Sequence, residues 1–344
     1  MGVTDASDSR LGLLTRWVTE DLGFAGSRIE PASADASFRR YFRVLRESDS
    51  YIVMDAPPDK ETLEPFVGVA RSLLGLKLNV PVILASDMRQ GLLLLSDLGT
   101  RQYLDQLSGG GDVDRLYGDA LQALVRMQSR GEEAALRLPP YDRELLHREM
   151  ELMPEWFLGR HLEAPAGPRE RAMLDRLFGF LSRSALAQPA AFVHRDYHSR
   201  NLLVTEERNP GILDFQDAVR GPVTYDAVSL LKDCYIEWPV ERVHGWLLQY
   251  RRALIDAGFR LTADDGEFIR WFDLMGLQRH IKVLGIFARL FYRDGKPGYL
   301  KDLPRVLAYT RQAAALHPET AEFAEYIAAH IDGRFSAAQS RTGQ

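Results

Sequence analysis

The sequence predicts an α+β fold with two lobes, a small antiparallel β-sheet in the N-terminal lobe and a larger, mainly helical C-terminal lobe. Up to about residue 98, short alternating apolar runs separated by small polar residues predict strands. Beyond residue 100, apolar residues recur at helical spacing over long stretches. We assign the parts of the chain as an N-terminal lobe over 1–98, a hinge at 96–99, a C-terminal lobe over 100–335 and a disordered tail over 336–344.

The composition is that of a globular protein long enough to form two lobes. The 344 residues are 46% hydrophobic and 26% charged. A net charge of -5 disfavours nucleic acid and anionic membranes as partners. No apolar run is long enough to span a membrane, residues 1–10 are polar rather than signal-like, and Cys234 is the single cysteine. We therefore expect a cytoplasmic protein, a monomer or weak oligomer, that acts on a small molecule.

The N-terminal lobe is predicted to begin with a helix and continue as a sheet. Apolar residues at helical spacing over 9–22, followed by Gly23, predict a helix that ends there. A second helix is predicted over 63–74. Strands are predicted over 29–32, 38–45, 51–55, 81–85 and 91–95. The loop over 32–37 has no glycine, so its small Ser and Ala residues would have to permit close approach to phosphates.

The third predicted strand carries Met54 and no lysine, so another cation is needed near nucleotide phosphates. A four-residue turn over Glu47–Ser50 would place Arg43 opposite Met54, with Arg39 on the same face of the sheet. A guanidinium would then contact phosphate oxygens. A one-residue slip in register would bring Arg40 to that face instead. The alternative is that these arginines are solvated strand charges.

The C-terminal lobe is predicted from its helical patterns. Three glycines at 109–111 predict a flexible surface connection, and Asp112 predicts the N-cap of a helix over 113–130. The remaining helices are predicted over 101–107, around 145–157, and over 224–238, 240–257, 264–293, 299–315 and 319–332. The polar group Arg279, His280 and Lys282 is interpreted as a solvated helix face, with a position facing the cleft as the alternative.

A polar loop between two apolar runs carries the chemistry. The spacing is His194-Arg195-Asp196, then four residues, Asn201, and later Asp214 with Phe215. Transfer of a γ-phosphoryl group needs a carboxylate that orients and deprotonates the acceptor hydroxyl, and oxygen ligands that hold Mg²⁺ on the phosphates. The pattern therefore predicts ATP and Mg²⁺ as cofactors, Asp196 as the catalytic residue, and Asn201 and Asp214 as metal ligands.

This spacing resembles the catalytic loop of kinases. The downstream segment Gly221–Asp226 resembles the aminoglycoside phosphotransferase superfamily, whose H-x-D-x-H-x-x-N loop places its second histidine at His198. The segments Met54–Pro58 and Ser37–Tyr41, together with the loop, look like the bacterial anomeric cell-wall sugar kinases, which phosphorylate N-acetylmuramate and N-acetylglucosamine at C1. The resemblance spans roughly residues 11 to 335 and implies a protein-kinase-like fold.

The resemblance also implies roles for further residues. Nucleotide-binding candidates are Ser37, Phe38, Arg39, Arg40 and Arg43 on the hairpin, and Ser96, Asp97 and Leu98 at the hinge. Structural support of the catalytic loop is implied for His194 and Asp226. Substrate-binding candidates are His198, Arg200, Gln216, Asp217 and Arg220. His198 could instead shape the loop through a hydrogen bond.

Charge favours an anionic acceptor, and two rival functions remain. Arg200 and Arg220 offer cationic partners for the lactyl carboxylate of N-acetylmuramate. A polycationic aminoglycoside would prefer acidic residues, which Asp217 and Glu237 could provide. The absence of the strand lysine and the glycine loop suggests a second rival, a nucleotide-binding pseudokinase scaffold. The presence of Asp196 together with its two predicted metal ligands argues against the scaffold.

Overall fold

A computed structural model of the chain describes residues 6–34 and 38–342. The chain separates into two compact units, which are Met1–Arg101 with Leu203–Asp217, and Gln102–Leu202 with Ala218–Gln344. The first unit contains a five-stranded antiparallel sheet, and the second is mainly helical. The predicted α+β fold class is confirmed. Within the described ranges, every helix is too short or too polar to cross a bilayer.

The strands occupy the positions that the alternation pattern predicts, with ends shifted by a few residues. The large sheet has the order β1-β2-β3-β5-β4, and two short strand pairs, the antiparallel β6-β9 and β7-β8, lie outside it. The strands are β1 Arg28–Ala34, β2 Arg40–Arg46, β3 Asp49–Asp55, β4 Ile83–Asp87, β5 Leu92–Ser96, β6 Ala190–Val193, β7 Leu202–Leu203, β8 Gly211–Ile212 and β9 Val219–Pro222.

Helices make up most of the remaining structure. The α-helices are α1 Ala6–Arg16, α2 Glu64–Gly75, α3 Tyr103–Ser108, α4 Val113–Arg130, α5 Glu132–Ala135, α6 Arg143–Met150, α7 Pro168–Leu186, α8 Tyr225–Leu231, α9 Val240–Asp256, α10 Asp265–Tyr292, α11 Leu303–Ala315, α12 Ala321–Tyr326 and α13 Asp332–Thr342. Helical turns of other types lie at Trp17–Asp21, Met153–His161, Pro297–Asp302, Pro318–Thr320 and Ile327–Ile331. As predicted, Asp112 caps α4 by accepting a hydrogen bond from the Arg115 N–H.

The β2-β3 hairpin has a tighter turn than the sequence analysis assumed. Arg46 pairs with Asp49, so the turn has two residues, and Glu47 takes a left-handed backbone conformation (φ 51°). Arg43 therefore lies opposite Ile52, not opposite Met54, and the predicted register is wrong by two residues. A shift of two residues preserves the face of the sheet. Arg43 and Met54 consequently still share a face.

The other face of this sheet forms the core of the first unit. Phe42, Val44 and Val53 are buried against Leu14 and Trp17 of the N-terminal helical segment. The alternation of buried and half-buried residues in β2 follows directly from the two-residue period of a strand. This packing orients Arg43, at an odd position of β2, away from the core.

Gly91 occupies a position in the first unit where only glycine fits. Its φ is +73°, and a Cβ atom there would lie 1.9 Å from the carbonyl oxygen of Ala56. We expect Gly91→Ala to lower the free energy of unfolding by about 3 kcal/mol, because backbone strain and overpacking add. Urea titration measures the change. The matched control is Gly68→Ala on α2, which has no neighbour within 4 Å. The free energy of unfolding of this control should rise by about 0.5–1 kcal/mol. An equal response of the two variants would contradict the argument.

Residues 203–217 belong to the first unit, although the sequence analysis assigned them to the C-terminal lobe. The Ile212 N–H donates to the Asn79 carbonyl at 2.7 Å, and the Val204 N–H donates to the Arg101 carbonyl at 2.7 Å. The ring of Phe215 packs on that of Phe66 with centroids 4.8 Å apart. These backbone bonds and ring contacts attach the segment to the sheet-bearing unit.

The second unit is built around α10, which packs against α6, α7, α8, α9 and α11. Helix α7 was not assigned from the sequence. Helix α8 ends at Leu231 and does not reach residue 238 as predicted. The Asp233 side chain explains this early end, because its Oδ1 accepts a hydrogen bond from the Tyr235 N–H at 3.0 Å. Such a local turn competes with the helical backbone.

The C-terminal segment is helical where the composition predicts disorder. Helix α13 extends through Thr342, and its Ala338 is fully buried. Phe335 packs against the same core. Burial of these apolar groups supplies the stabilisation that a short polar helix lacks by itself. The predicted disorder of residues 336–342 is therefore wrong.

Candidate active site

The loop His194–Asn201 follows β6 and is held in place by Asp226 at the start of α8. The Asp226 carboxylate accepts hydrogen bonds from the backbone N–H groups of His194 at 2.6 Å and Arg195 at 3.0 Å. Arg195 has φ 77°, a conformation that is rare for a residue with a side chain. Burial raises the pKa of Asp226 to about 7, and its two hydrogen bonds to the loop offset part of the cost of this backbone strain.

Hydrogen bonds within the loop set the orientation of Asp196 and Asn201. The Asp196 carbonyl accepts from the His198 N–H at 3.0 Å and from the Asn201 Nδ2 at 3.0 Å. The Asp196 N–H donates to the His194 Nδ1 at 3.3 Å. Because Asn201 uses its amide nitrogen in this way, its amide oxygen is directed elsewhere. An oxygen donor of this kind suits Mg²⁺.

Asp196 lies in an environment that keeps its carboxyl group ionised. Burial raises its pKa, but the neighbouring cations Lys282, Arg195 and Arg279 lower it, and the net shift is downward. Burial lowers the pKa of His198, which is therefore neutral near pH 7. An ionised carboxylate beside a neutral imidazole can accept a proton from a hydroxyl group or align its oxygen.

The buried carboxylate of Glu149 on α6 forms ion pairs with Arg195 of the catalytic loop and with Lys282 on α10. Its carboxylate, on a residue only 6% exposed, accepts hydrogen bonds from Arg195 and the Tyr141 hydroxyl, and lies 2.9 Å from Lys282 Nζ. Lys282 also donates to the Tyr225 hydroxyl at 3.0 Å. Burial raises the pKa of Glu149, and the charges of Lys282 and Arg195 outweigh burial and lower it. This buried network holds the catalytic loop in place through Arg195.

The predicted solvated face of α10 is wrong. Arg279, His280 and Lys282 are 4%, 0% and 7% exposed. The reason is that neighbouring helices pack around α10 on several sides, so its polar residues must find internal partners. The alternative, a position that faces the cleft, stays a prediction, and the charges of Arg279 and Lys282 lower the pKa of Asp196.

His280 provides a pH-dependent contribution to stability. Burial and the charges of Arg279 and Lys232 lower its pKa to about 3, although its ring nitrogen Nε2 lies 3.0 Å from the Lys232 carbonyl. The unfolded chain, with a histidine pKa near ~6.5, therefore binds the proton more readily, and stability is lost as the pH falls below that value. We expect His280 to lower the free energy of unfolding by about 2 kcal/mol at pH 5.

The measurement is urea unfolding at pH 7.5 and pH 5. His280→Phe, which keeps a ring to stack on Tyr309, should reduce the difference between the two pH values by the contribution of His280. The exposed His330→Phe serves as control and should leave the difference unchanged. An unchanged difference in His280→Phe would contradict the assignment.

The predicted substrate residues of the second unit occupy different environments. Arg200 stacks over the Tyr235 ring with its guanidinium carbon 3.6 Å from the centroid, and lies 3.8 Å from Asp302. The His198 ring contacts the same tyrosine edge-on at 5.3 Å. Arg220 is exposed on β9, and its backbone bonds to Pro139 and Tyr141. Arg200 and His198 therefore both contact Tyr235.

Asp214 follows β8 in the first unit and has a left-handed backbone conformation (φ 61°). The Gln216 Nε2 donates to Asp214 Oδ1 at 2.7 Å and lies 3.4 Å from Asp217 Oδ2. Within the described ranges, no three His, Cys, Asp or Glu side chains gather as a metal site. A Mg²⁺ ion held by one amide, one carboxylate and phosphate oxygens does not require such a group. The donor types at Asn201 and Asp214 fit this ion.

The hairpin arginines are engaged in ion pairs. Arg43 Nε donates to Asp97 Oδ2 at 2.6 Å, and Ser50 and the Gly99 N–H donate to the same carboxylate. Burial raises the pKa of Asp97, but Arg43 and Ser50 outweigh it and the net shift is downward. Arg40 pairs with the fully buried Asp55, as does Arg10. This double pairing of Asp55 was not foreseen from the sequence.

The remaining candidates for nucleotide binding lie in different environments. Phe38 is 64% exposed, Arg39 is half-buried, and Ser37 lies outside the described residues. The Ser96 N–H donates to the Val82 carbonyl at 2.9 Å, so this amide is already used. Leu98 packs close to Gly211. The assignment of these residues to nucleotide binding stays a prediction.

Comparisons with known proteins show the family of this chain. The phosphotransferase enzyme family matches residues 28–265. An N-acetylmuramate/N-acetylglucosamine kinase of Pseudomonas aeruginosa is 50% identical over 303 residues, which cover 88% of each chain. The kinase of the same name from Pseudomonas putida is 47% identical over 93% of this chain and 96% of its own.

Solved structures show the same fold at low identity. Plasmodium vivax ethanolamine kinase aligns with a TM-score of 0.64 and 10% identity, over 93% of this chain and 91% of that chain. This likeness extends to the fold alone. The family match spans more than half of the sequence, and the first relative is far above the identity at which a common family is secure. The chain belongs to the phosphotransferase enzyme family.

Proposed function

We propose that this protein is an ATP-dependent kinase that phosphorylates the anomeric hydroxyl of N-acetylmuramate and N-acetylglucosamine. The observation that carries the proposal is the 50% identity, over 88% of each chain, to a kinase named for these two sugars. The loop geometry supports the reaction type, since Asp196 is ionised and held by its neighbours. We place the reaction in the cytoplasm, where ATP is available.

Asp196 acts on the acceptor hydroxyl. Its carboxylate accepts the proton of the anomeric hydroxyl, or aligns the oxygen, as that oxygen forms a bond to the γ-phosphorus and the bond to the ADP oxygen breaks. The anomeric hydroxyl is more acidic than other sugar hydroxyls, which eases this transfer. Arg195 and Lys282 stabilise the ionised carboxylate before the proton arrives.

Magnesium and nucleotide binding are proposed for the residues that the sequence motifs indicate. Asn201 and Asp214 would hold Mg²⁺, which neutralises charge on the phosphate oxygens. On the hairpin, Arg39, Arg40 and Arg43, with Ser37 and Phe38, are the proposed phosphate-side residues. Asp97 and Leu98, with Ser96, are the proposed adenine-side residues. The Arg43–Asp97 ion pair would then connect these two groups.

The aminoglycoside alternative is less compatible with the charges beside the catalytic loop. Arg200 lies on the Tyr235 ring, and Arg279 lies against Cys234. The charges of both guanidinium groups lower the pKa of His198. A polycationic acceptor would be repelled by these guanidinium groups. A carboxylate-bearing acceptor would be attracted.

An acceptor panel tests the proposal. Purified protein with Mg²⁺ and ATP is assayed with N-acetylmuramate, N-acetylglucosamine, kanamycin, choline and homoserine, and NMR of the product locates the new phosphate ester. We expect transfer to both amino sugars and an ester at C1. Transfer to kanamycin alone, or an ester at another position, would reject the proposal. Nucleotide binding without transfer to any acceptor would favour the scaffold alternative.

A further inference from the structure

Three guanidinium groups surround the segment Asp233–Tyr235, which follows α8. Arg200 covers the Tyr235 ring at 3.6 Å. Arg279 on α10 places Nη1 3.4 Å from the Cys234 Sγ, and Arg305 on α11 donates from Nη1 to the Cys234 carbonyl at 2.9 Å. We call these residues the arginine cluster. They approach the segment from three different parts of the chain.

The catalytic loop is bonded to the same segment. Asp233 Oδ2 accepts hydrogen bonds from the Ser199 N–H at 2.9 Å and from the Ser199 hydroxyl at 2.5 Å. The His198 ring contacts Tyr235. These contacts join the segment that the arginine cluster touches directly to two residues of the catalytic loop. The cluster is therefore part of the surroundings of that loop.

Arg279 differs from the other two arginines of the cluster because, within the described ranges, it forms no ion pair with the nearby acidic groups. Asp302 lies 3.5 Å from Arg305 and 3.8 Å from Arg200. Asp233 is used by Ser199 and by the Tyr235 N–H. Asp196 acts on Arg279 through its charge, without an ion pair between the two side chains. Burying a cation without a directly paired anion is costly.

Arg279 is the residue whose hydrogen-bonding capacity is least used. It is 4% exposed, and among the residues that the structure describes its hydrogen-bond partner is the Cys234 thiol. Sulfur is a weak acceptor, whereas a guanidinium group has five donors arranged to match a carboxylate. The guanidinium group therefore offers donors that match an anionic ligand.

Two buried polar atoms beside the cluster have no hydrogen-bond partner among the described residues, although one of them, Asp302 Oδ2, lies 3.8 Å from Arg200. Asp302, 7% exposed, has no hydrogen bond at Oδ2, and His198 has none at Nδ1, among the described residues. Buried acceptors without partners are rare in folded proteins and call for an explanation. Hydroxyl groups of a bound sugar would satisfy them. A ligand that carries both a carboxylate and hydroxyl groups matches the two kinds of unsatisfied atoms.

We propose that Arg279, together with Arg200 against the same segment, forms a carboxylate subsite that recognises the acid group of N-acetylmuramate and sets the preference between this sugar and N-acetylglucosamine. The inference rests on the proposed function. It adds a residue that distinguishes an acidic from a neutral acceptor. A planar guanidinium group can bind the carboxylate through two parallel hydrogen bonds, which lysine cannot do.

Arg279→Gln tests the subsite with two substrates in parallel. We expect kcat/KM for N-acetylmuramate to fall about 30-fold or more, because a charge-assisted bidentate contact is lost. The value for N-acetylglucosamine should fall by a clearly smaller factor, since that sugar has no carboxylate and its reaction loses only the effect of the Arg279 charge on Asp196. Equal losses for both sugars would overturn the proposal and assign Arg279 a structural role.

A substrate change tests the same contact without altering the protein. The wild-type enzyme should use the methyl ester of N-acetylmuramate at least about tenfold less efficiently than the free acid, and Arg279→Gln should lower the ester value by a clearly smaller factor than the acid value. Equal use of acid and ester by the wild type would reject the subsite. This comparison decides the question even if Arg279→Gln fails to fold.

The controls separate the subsite from the proposed function. Arg176→Gln removes the same charge from an exposed pair with Glu322 and should alter neither sugar. Arg279→Lys keeps the charge but loses the bidentate geometry, and should retain part of the preference for the acid. If the wild type phosphorylates neither sugar, the proposed function fails and this inference with it. If it phosphorylates both and the variants show no selective loss, the inference alone fails.

Discussion

Asp196→Asn is expected to lower kcat about a thousandfold or more, with little change in the dissociation constant for ATP. The asparagine keeps the size and backbone contacts of the side chain but cannot accept a proton as a carboxylate does. The loop should remain in place, because the backbone groups of residue 196 make the bonds to His194, His198 and Asn201. Loss of turnover without loss of nucleotide binding is the signature of a proton acceptor.

Steady-state kinetics with N-acetylglucosamine and isothermal titration with ATP measure the two quantities. The control is Asp256→Asn, the same change at an exposed position at the end of α9, which should leave both at wild-type values. Circular dichroism spectra verify that each variant is folded. Turnover within tenfold of wild type in Asp196→Asn would refute the catalytic role.

Glu149→Gln is expected to lower the free energy of unfolding by about 3–5 kcal/mol, because it leaves Arg195 and Lys282 buried without their shared carboxylate. Both cations are largely enclosed, so solvent cannot replace the lost charge. Arg195 immediately precedes Asp196, and we therefore expect turnover to fall as well.

Urea unfolding measures this effect, and a double variant tests its cause. Adding Lys282→Met to Glu149→Gln removes one of the unpaired cations, so the double variant should lose less stability than the sum of the two single variants. Glu144→Gln makes the same change on an exposed side chain of α6 and should be neutral. Simple additivity of the two buried changes, or a loss below about 1 kcal/mol for Glu149→Gln, would show that the network is not a unit.

The fold class and the enzyme family were predictable from local patterns. Alternation in β2 and helical spacing in α4 depend on residues near one another in the chain, and the N-cap at Asp112 depends on a single turn. The motif that contains Asp196 and Asn201 lies within eight consecutive residues, so its spacing is visible without coordinates. The comparisons confirm the family predicted from it.

Other features were missed because their causes are not local. The two-residue turn after Arg46 depends on a left-handed Glu47, a residue type with no marked preference for this conformation. The burial of His280 depends on how many helices pack around α10. The pairing of Arg40 and Arg10 with Asp55 joins parts of the chain that have no common motif.

The sequence by itself determined which chemical groups the catalytic loop presents, because the order and spacing of its polar residues are covalent facts. Only the tertiary structure decided which charges surround those groups. Glu149 and Arg195 are 46 residues apart, and Arg279 meets Cys234 across 45 residues. Electrostatic interactions depend on distance in space and on exclusion of water, and neither quantity can be read from positions along a chain.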